Sequence, residues 1–242
     1  MAQVTEPVVP PPAVTASTTG ERFVPLRPRT LWRVAGGLAL AHVVLLFAAF
    51  SQEVSVEHGD SPASVMQVYG GANLTRVFSG GYVEALSFLV LTAAVVLIAR
   101  IFGRRTETGR LAAGTFLALG VAMIASTLAV GFPPGAAALY GAQHGAAASE
   151  VVLVNDIRNF GFVLQVALQA GMALALGIAA VAERTLSRWA GWVGIAVGAA
   201  GLVLVPFAHN LVSLVWMIWW VGVAVLLLRG QKASRGPAGR IA

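Results

Sequence analysis

Residues 188–229 read RWAGWVGIAVGAAGLVLVPFAHNLVSLVWMIWWVGVAVLLLR, with no Asp, Glu, Lys or Arg between the two terminal arginines. A helix needs about 20 apolar residues, at 1.5 Å each, to cross about 30 Å of hydrocarbon. The run divides at Pro206-Phe207 and His209-Asn210 into two such segments, 189–206 and 211–229, joined by a short turn. Working outward, four more apolar segments precede it, at roughly 31–50, 81–102, 111–132 and 157–182. The expected fold is therefore an all-α polytopic membrane protein with six transmembrane helices.

Composition supports that class. The 242 residues are 57% hydrophobic and 11% charged, with a mean hydropathy of +0.80, whereas soluble domains are about 25% charged. An ordinary soluble domain is excluded, as is disorder over most of the length. The absence of cysteine removes disulfides, thiolate nucleophiles and Cys-ligated metals. The net charge of +6 does not imply nucleic acid, because the basic residues flank the apolar segments rather than forming a stripe.

Those flanking charges give an orientation. Arg22, Arg27, Arg29 and Arg33 precede the first segment, and Arg100, Arg104, Arg105 and Arg110 lie at the second-to-third turn. Arg184 and Arg188 lie at the fourth-to-fifth turn, and Arg229, Lys232, Arg235 and Arg240 follow the sixth segment. Only Arg76 and Arg158 fall on the other side. By the positive-inside rule both termini are cytoplasmic, in the cell membrane of what the arginine-, alanine- and glycine-rich composition suggests is a bacterium. The apolar run from Val34 to Phe50 is longer than the ~7–15 residues of a signal peptide's core and is read as a span. The expected domains are a disordered, proline-rich cytoplasmic tail over 1–30, a six-helix domain over 31–230, and a basic cytoplasmic tail over 231–242.

The outer connections, 51–80 and 133–156, are longer than the inner ones and carry Glu53, Glu57, Asp60, Glu150 and Asp156. Trp32, Trp189 and Trp192 fit the interfacial aromatic belt. Trp216, Trp219 and Trp220 lie deeper, either as packing and lipid contacts or as an apolar wall for a ligand. Gly194 and Gly198, extended by Gly201, form a small-xxx-small motif that permits close helix approach.

Polar groups within apolar segments are costly and mark candidate sites. At 100° per residue, Arg158, Gln165 and Gln169 share one face of the fourth segment, with Asn155 and Asn159 flanking it. Glu84 lies one turn inside the second segment, within reach of Arg158 or Arg76. His209 stands at the outer turn, and His42 midway along the first segment. These groups gather in the outer half, while the inner half is almost purely apolar, which argues against a channel or pump. The candidate binding site is Glu84, Arg158, Asn159, Gln165, Gln169 and His209. Catalytic templates fit poorly. No serine lies in the fourth segment for an intramembrane protease, and the four isolated histidines, His42, His58, His144 and His209, lack metal-site spacing. No metal or cofactor is expected.

Three short motifs carry a family resemblance. Arg33-Val-Ala-Gly36 opens the first segment, Asn155-Asp156-Ile-Arg158-Asn159-Phe160-Gly161 enters the fourth, and Leu186-Ser-Arg188-Trp-Ala-Gly191-Trp-Val-Gly194 opens the fifth. Over about residues 30–230 the chain resembles a family of uncharacterised six-helix membrane proteins common in actinobacteria. The resemblance implies a fold and a membrane location, and transfers no catalytic residue.

The expected function is that of a binding or accessory membrane protein with an outward-facing polar pocket for a lipid or small amphiphile. The alternatives are an intramembrane enzyme on a lipid-linked substrate, with Glu84 or His209 as acid/base, and a small transporter. The expected partners are the lipid bilayer, that amphiphile and a membrane protein, with no nucleic acid.

Overall fold

The computed structural model describes residues 28–54 and 56–230. The two expected tails lie outside this range, except that residues 28–30 open the first helix. The described residues are all-helical, without strands. The helices are α1 (Pro28–Phe50), α2 (Pro62–Gly70), α3 (Leu74–Phe102), α4 (Glu107–Ser126), α5 (Phe132–Gln143), α6 (Ala148–Glu183) and α7 (Arg188–Arg229), with a π-helical stretch, Thr127–Gly131, between α4 and α5. Five stretches are long and apolar enough to cross a membrane: Arg29–Phe50, Leu74–Phe102, Glu107–Gln143, Ala148–Glu183 and Arg188–Arg229. This is a multi-pass membrane fold.

The count differs from the sequence reading because the last two segments are continuous, as α7. Pro206 lies inside α7 and Ala208 has non-helical angles, φ −148° and ψ 43°. Proline removes one helical hydrogen bond and crowds the carbonyl four residues back. Along a straight helix Gly194 and Trp219 would stand about 37 Å apart. Instead a Cβ on Gly194 would lie 2.9 Å from the Trp219 ring, and one on Gly201 3.2 Å from Val212. The two arms of α7 therefore lie side by side and antiparallel, with the reversal at Pro206–Ala208.

Several helices start earlier than hydropathy alone suggests, because caps rather than lipid set their ends. Asn73 caps α3, its Oδ1 accepting the Arg76 N–H at 2.9 Å, so the helix begins seven residues before the apolar run at 81. The α6 helix begins at Ala148, where the Glu150 carboxylate accepts the Ala147 N–H at 3.2 Å. The third segment continues through the π-helical stretch into α5, beyond the expected end at residue 132.

These extensions build a second layer. The main core fills the bundle, with Phe88, Leu91, Ile98, Phe116, Met172 and Trp220 among its members. A separate outer core joins Val56, Val65, Tyr69, Val77, Leu139 and Val151. The connections at 51–80 and 133–156 thus form an ordered helical cap that buries its own apolar surface.

Close backbone contact holds α6 against the first arm of α7. A Cβ on Gly198 would overlap the backbone of Leu174 and Ala170, and one on Gly177 would meet the Ile195 nitrogen at 2.6 Å and the Gly191 oxygen at 2.7 Å. Trp216 and Trp220 are 1% and 0% exposed, and stack at 5.3 Å with an 11° interplanar angle. They are core packing and do not wall an open pocket. Trp189 and Trp192 are exposed, as belt residues should be.

At the opposite end of the bundle Glu183 locks two turns together. A carboxylate at a helix C-terminus opposes the helix dipole, so Glu183 must find donors elsewhere. Its oxygens accept the N–H groups of Arg105 at 2.8 Å and Thr106 at 2.9 Å, at the start of α4. Gly109 leaves the space, since a Cβ there would overlap the Glu183 carboxylate.

Candidate functional site

The polar groups at one end of the bundle converge where the cap meets the helices. Arg158, on α6, donates through Nη2 to Glu53 Oε2 at 3.3 Å and through Nη1 to the Val54 carbonyl at 3.4 Å. One turn of the same helix also places Asn159, whose Nδ2 donates to the Val56 carbonyl at 3.2 Å. Tyr69, on α2, donates its hydroxyl proton to Asn155 Oδ1 at 2.6 Å. Arg76, at the start of α3, donates to the Ser51 carbonyl at 2.6 Å. The described residues between α1 and α2 form no helix, and Arg76, Arg158 and Asn159 satisfy the carbonyls of Ser51, Val54 and Val56.

Glu84, on α3, lies one helical turn beyond Gly80, where a Cβ would stand 3.3 Å from the Glu53 Cγ, and it interacts electrostatically with both Glu53 and Arg158. Two carboxyl groups and one guanidinium therefore share the same small space. The Arg158 and Glu53 side chains are only 20% and 11% exposed. Burial pushes the Glu53 carboxyl above the usual carboxylate range, with the Arg158 charge and the Glu84 contact opposing it. Burial likewise raises the Tyr69 phenol, which the Arg158 charge partly offsets. A cavity of about 20 Å3 adjoins Glu53, Tyr69 and Arg158, with Val54, Val77 and Leu139 in its wall. It has room for about one water molecule.

The structure brings together only part of the sequence-derived site. Glu84, Arg158 and Asn159 join the cluster. Gln165 and Gln169 are buried further along α6, beyond hydrogen-bond reach of it, and the Gln169 Oε1 is buried without a partner. His209 stands against Phe162, ring centroids 5.8 Å apart and edge-on, away from the carboxyls. His42 is buried, with Nδ1 3.0 Å from the Ser87 carbonyl, so that nitrogen carries the proton and donates. It ties α1 to α3.

Glu53, Tyr69 and Asn155 are the residues that sequence reasoning did not place in the site. Glu53 stands three residues past the end of an apolar run, a position that ordinarily faces water, and nothing local signals the return of the chain over Arg158. Asn155 was legible as a flank of the Arg158 face. His58 and Asp156 pair at 3.1 Å on the outer surface, with the histidine 62% exposed, and form no metal site. Among the described residues no group of three or more His, Cys, Asp or Glu is placed to hold a metal ion.

The fold and site define a multi-pass helical membrane protein with a capped, charged cluster at one end of the bundle. Compared with known proteins, the chain matches no family model, no curated protein and no solved structure.

Proposed function

We propose that the chain is a six-crossing protein of a bacterial cell membrane, with both termini cytoplasmic, that serves as a binding or accessory protein for a lipid or small amphiphile. The doubling back of α7 and the distribution of arginines support the six crossings. Membership of the actinobacterial-type family suggested by its motifs is part of the same reading. A reporter enzyme active only outside the cytoplasm should be inactive when fused after Ala242 and active when inserted near Gly145. The opposite pattern would sink the topology.

The observation behind the binding role is Arg158. It is a guanidinium in the outer half of an apolar bundle, beside a cavity with Val54, Val77 and Leu139 in its wall. Its fork is filled by a carboxylate and a carbonyl from its own chain. An anionic headgroup offers the same acceptors, so exchange with Glu53 would seat an amphiphile there while its tail follows the apolar wall. The cavity as it stands is too small for a headgroup, and binding requires the α1–α2 connection to lift. Native mass spectrometry of protein taken from its own membrane in mild detergent tests this. A defined extra mass on the wild type, reduced in Arg158→Lys, is the expected result. Bare protein in both samples would discard the amphiphile and leave a protein partner as the object of search.

The carboxyl pair favours a second reading, an acid/base enzyme on a lipid-linked substrate. That role predicts a folded Glu84→Gln protein with no activity.

A further inference from the structure

We propose that Glu53, Glu84 and Arg158 form a single-proton binding site, one proton shared by the two carboxyls, which fastens the α1–α2 connection to the bundle. The inference uses residues of the proposed binding site but does not rest on the amphiphile.

Geometry carries it. Glu53 arrives from the cap, Glu84 from α3 and Arg158 from α6, so the three groups tie separate elements. Glu53 spends Oε2 on Arg158. Its Oε1 is buried and has no hydrogen-bond partner. Glu84 stands one helical turn along α3 from Gly80, where a Cβ would lie 3.3 Å from the Glu53 Cγ, so the two carboxyls face the same space, and two carboxylates cannot bond to each other without a proton between them. One shared proton supplies the missing donor. It also leaves one negative charge opposite one guanidinium, which is the charge balance a buried site needs.

The other charged groups do not supply an alternative. The ionisable Tyr69, on α2, donates to Asn155. Arg76, on α3, is exposed and bound to the Ser51 carbonyl. On α6, Asp156 pairs with His58 at the outer surface. The ionisable group of α5, Tyr140, is exposed and stacks on His144 at 3.8 Å. On α1, His42 is committed to Ser87, and Arg29 and Arg33 stand at the opposite end of that helix.

The pH dependence has a definite sign. The fastened state holds the proton more tightly than an opened, hydrated state would, in keeping with the upward shift of Glu53 by burial. The contribution to stability is complete at low pH and is lost as pH rises through the value of the fastened state. Above that point a second negative charge is left in the site, and the connection over it loosens.

Infrared spectroscopy of the full chain in lipid bilayers tests the site without any ligand. At neutral pH the wild type should show the C=O stretch of a non-hydrated carboxylic acid, lost in one step as pH is raised. Either Glu53→Gln or Glu84→Gln should abolish it at neutral pH, because the surviving carboxyl then pairs with Arg158 and ionises. Arg158→Gln should keep a band at neutral pH and enlarge it towards about pH 5, where the second acid, without its charge partner, takes up a proton as well. No such band in the wild type would overturn the proposal, and this result requires no variant to fold. A band that persists in either folded glutamine variant would also overturn it, since the proton would then belong to one carboxyl alone.

Discussion

Gly198→Leu is expected to yield little or no folded protein. At this position the backbone of α7 lies directly on that of α6, and even a Cβ would overlap the main chain of Leu174 and Ala170. A main-chain neighbour cannot rotate away as a side chain can, so the helices must separate. Without a hydrophobic driving force between helices in lipid, close packing is the main source of association there. Overpacking ordinarily costs about 1–3 kcal/mol, occasionally more, and a leucine wedged between two backbones belongs at or beyond the upper end. Gly222→Leu is the matched control, because nothing lies within 4 Å of a Cβ at that site. Size-exclusion profiles in detergent should show an aggregated or absent peak for the first variant and a normal peak for the second. Equal profiles would remove the α6–α7 contact as a determinant of the fold.

Arg158→Gln is expected to cost about 3 kcal/mol at neutral pH. Breaking a buried ion pair by removing one partner typically costs 3–5 kcal/mol, and the 20% exposure of the arginine side chain places this case at the lower end. The loss has two parts: an uncompensated carboxylate, and the Val54 carbonyl that Arg158 satisfies. The first part is conditional on charge. Without the arginine the buried Glu53 carboxyl gains stability by binding a proton, so its contribution is present at low pH and disappears as pH rises. Thermal unfolding of Arg158→Gln should therefore approach the wild type near about pH 5 and fall furthest below it at alkaline pH. Adding Glu53→Gln to Arg158→Gln should recover part of the neutral-pH loss, because it removes the stranded charge. A deficit independent of pH, with no recovery in the double variant, would reduce Arg158 to a packing residue.

The legible part of the site follows one physical rule. Charged and amide groups are conspicuous inside an apolar run, and their helical spacing places them on a face. That is how Arg158, Asn159 and Glu84 were found. The same rule brought in Gln165, Gln169 and His209, which share the depth or the face but stand apart from the carboxyls. Periodicity gives the direction of a side chain around its own helix, and says nothing of what another segment brings to meet it. Glu53 shows the reverse failure. In a connection between helices a carboxylate carries no periodic signal, and only the fold of the cap turns it into the partner of Arg158.

By itself, the sequence determined the all-helical class, the membrane setting, most of the long apolar segments and the position of the break in α7. Each follows from local quantities: hydropathy over one helix length, proline chemistry and charge beside the spans. The tertiary structure alone decided that the connections around α2 and α5 pack as a helical cap. It also decided that Trp216, Trp219 and Trp220 are core residues, and that Glu53 rather than Gln165 or His209 completes the charged cluster. Those outcomes depend on which surfaces meet across long separations in the chain. Burial and pairing of that kind are properties of contacts between segments, and no window on one segment contains them.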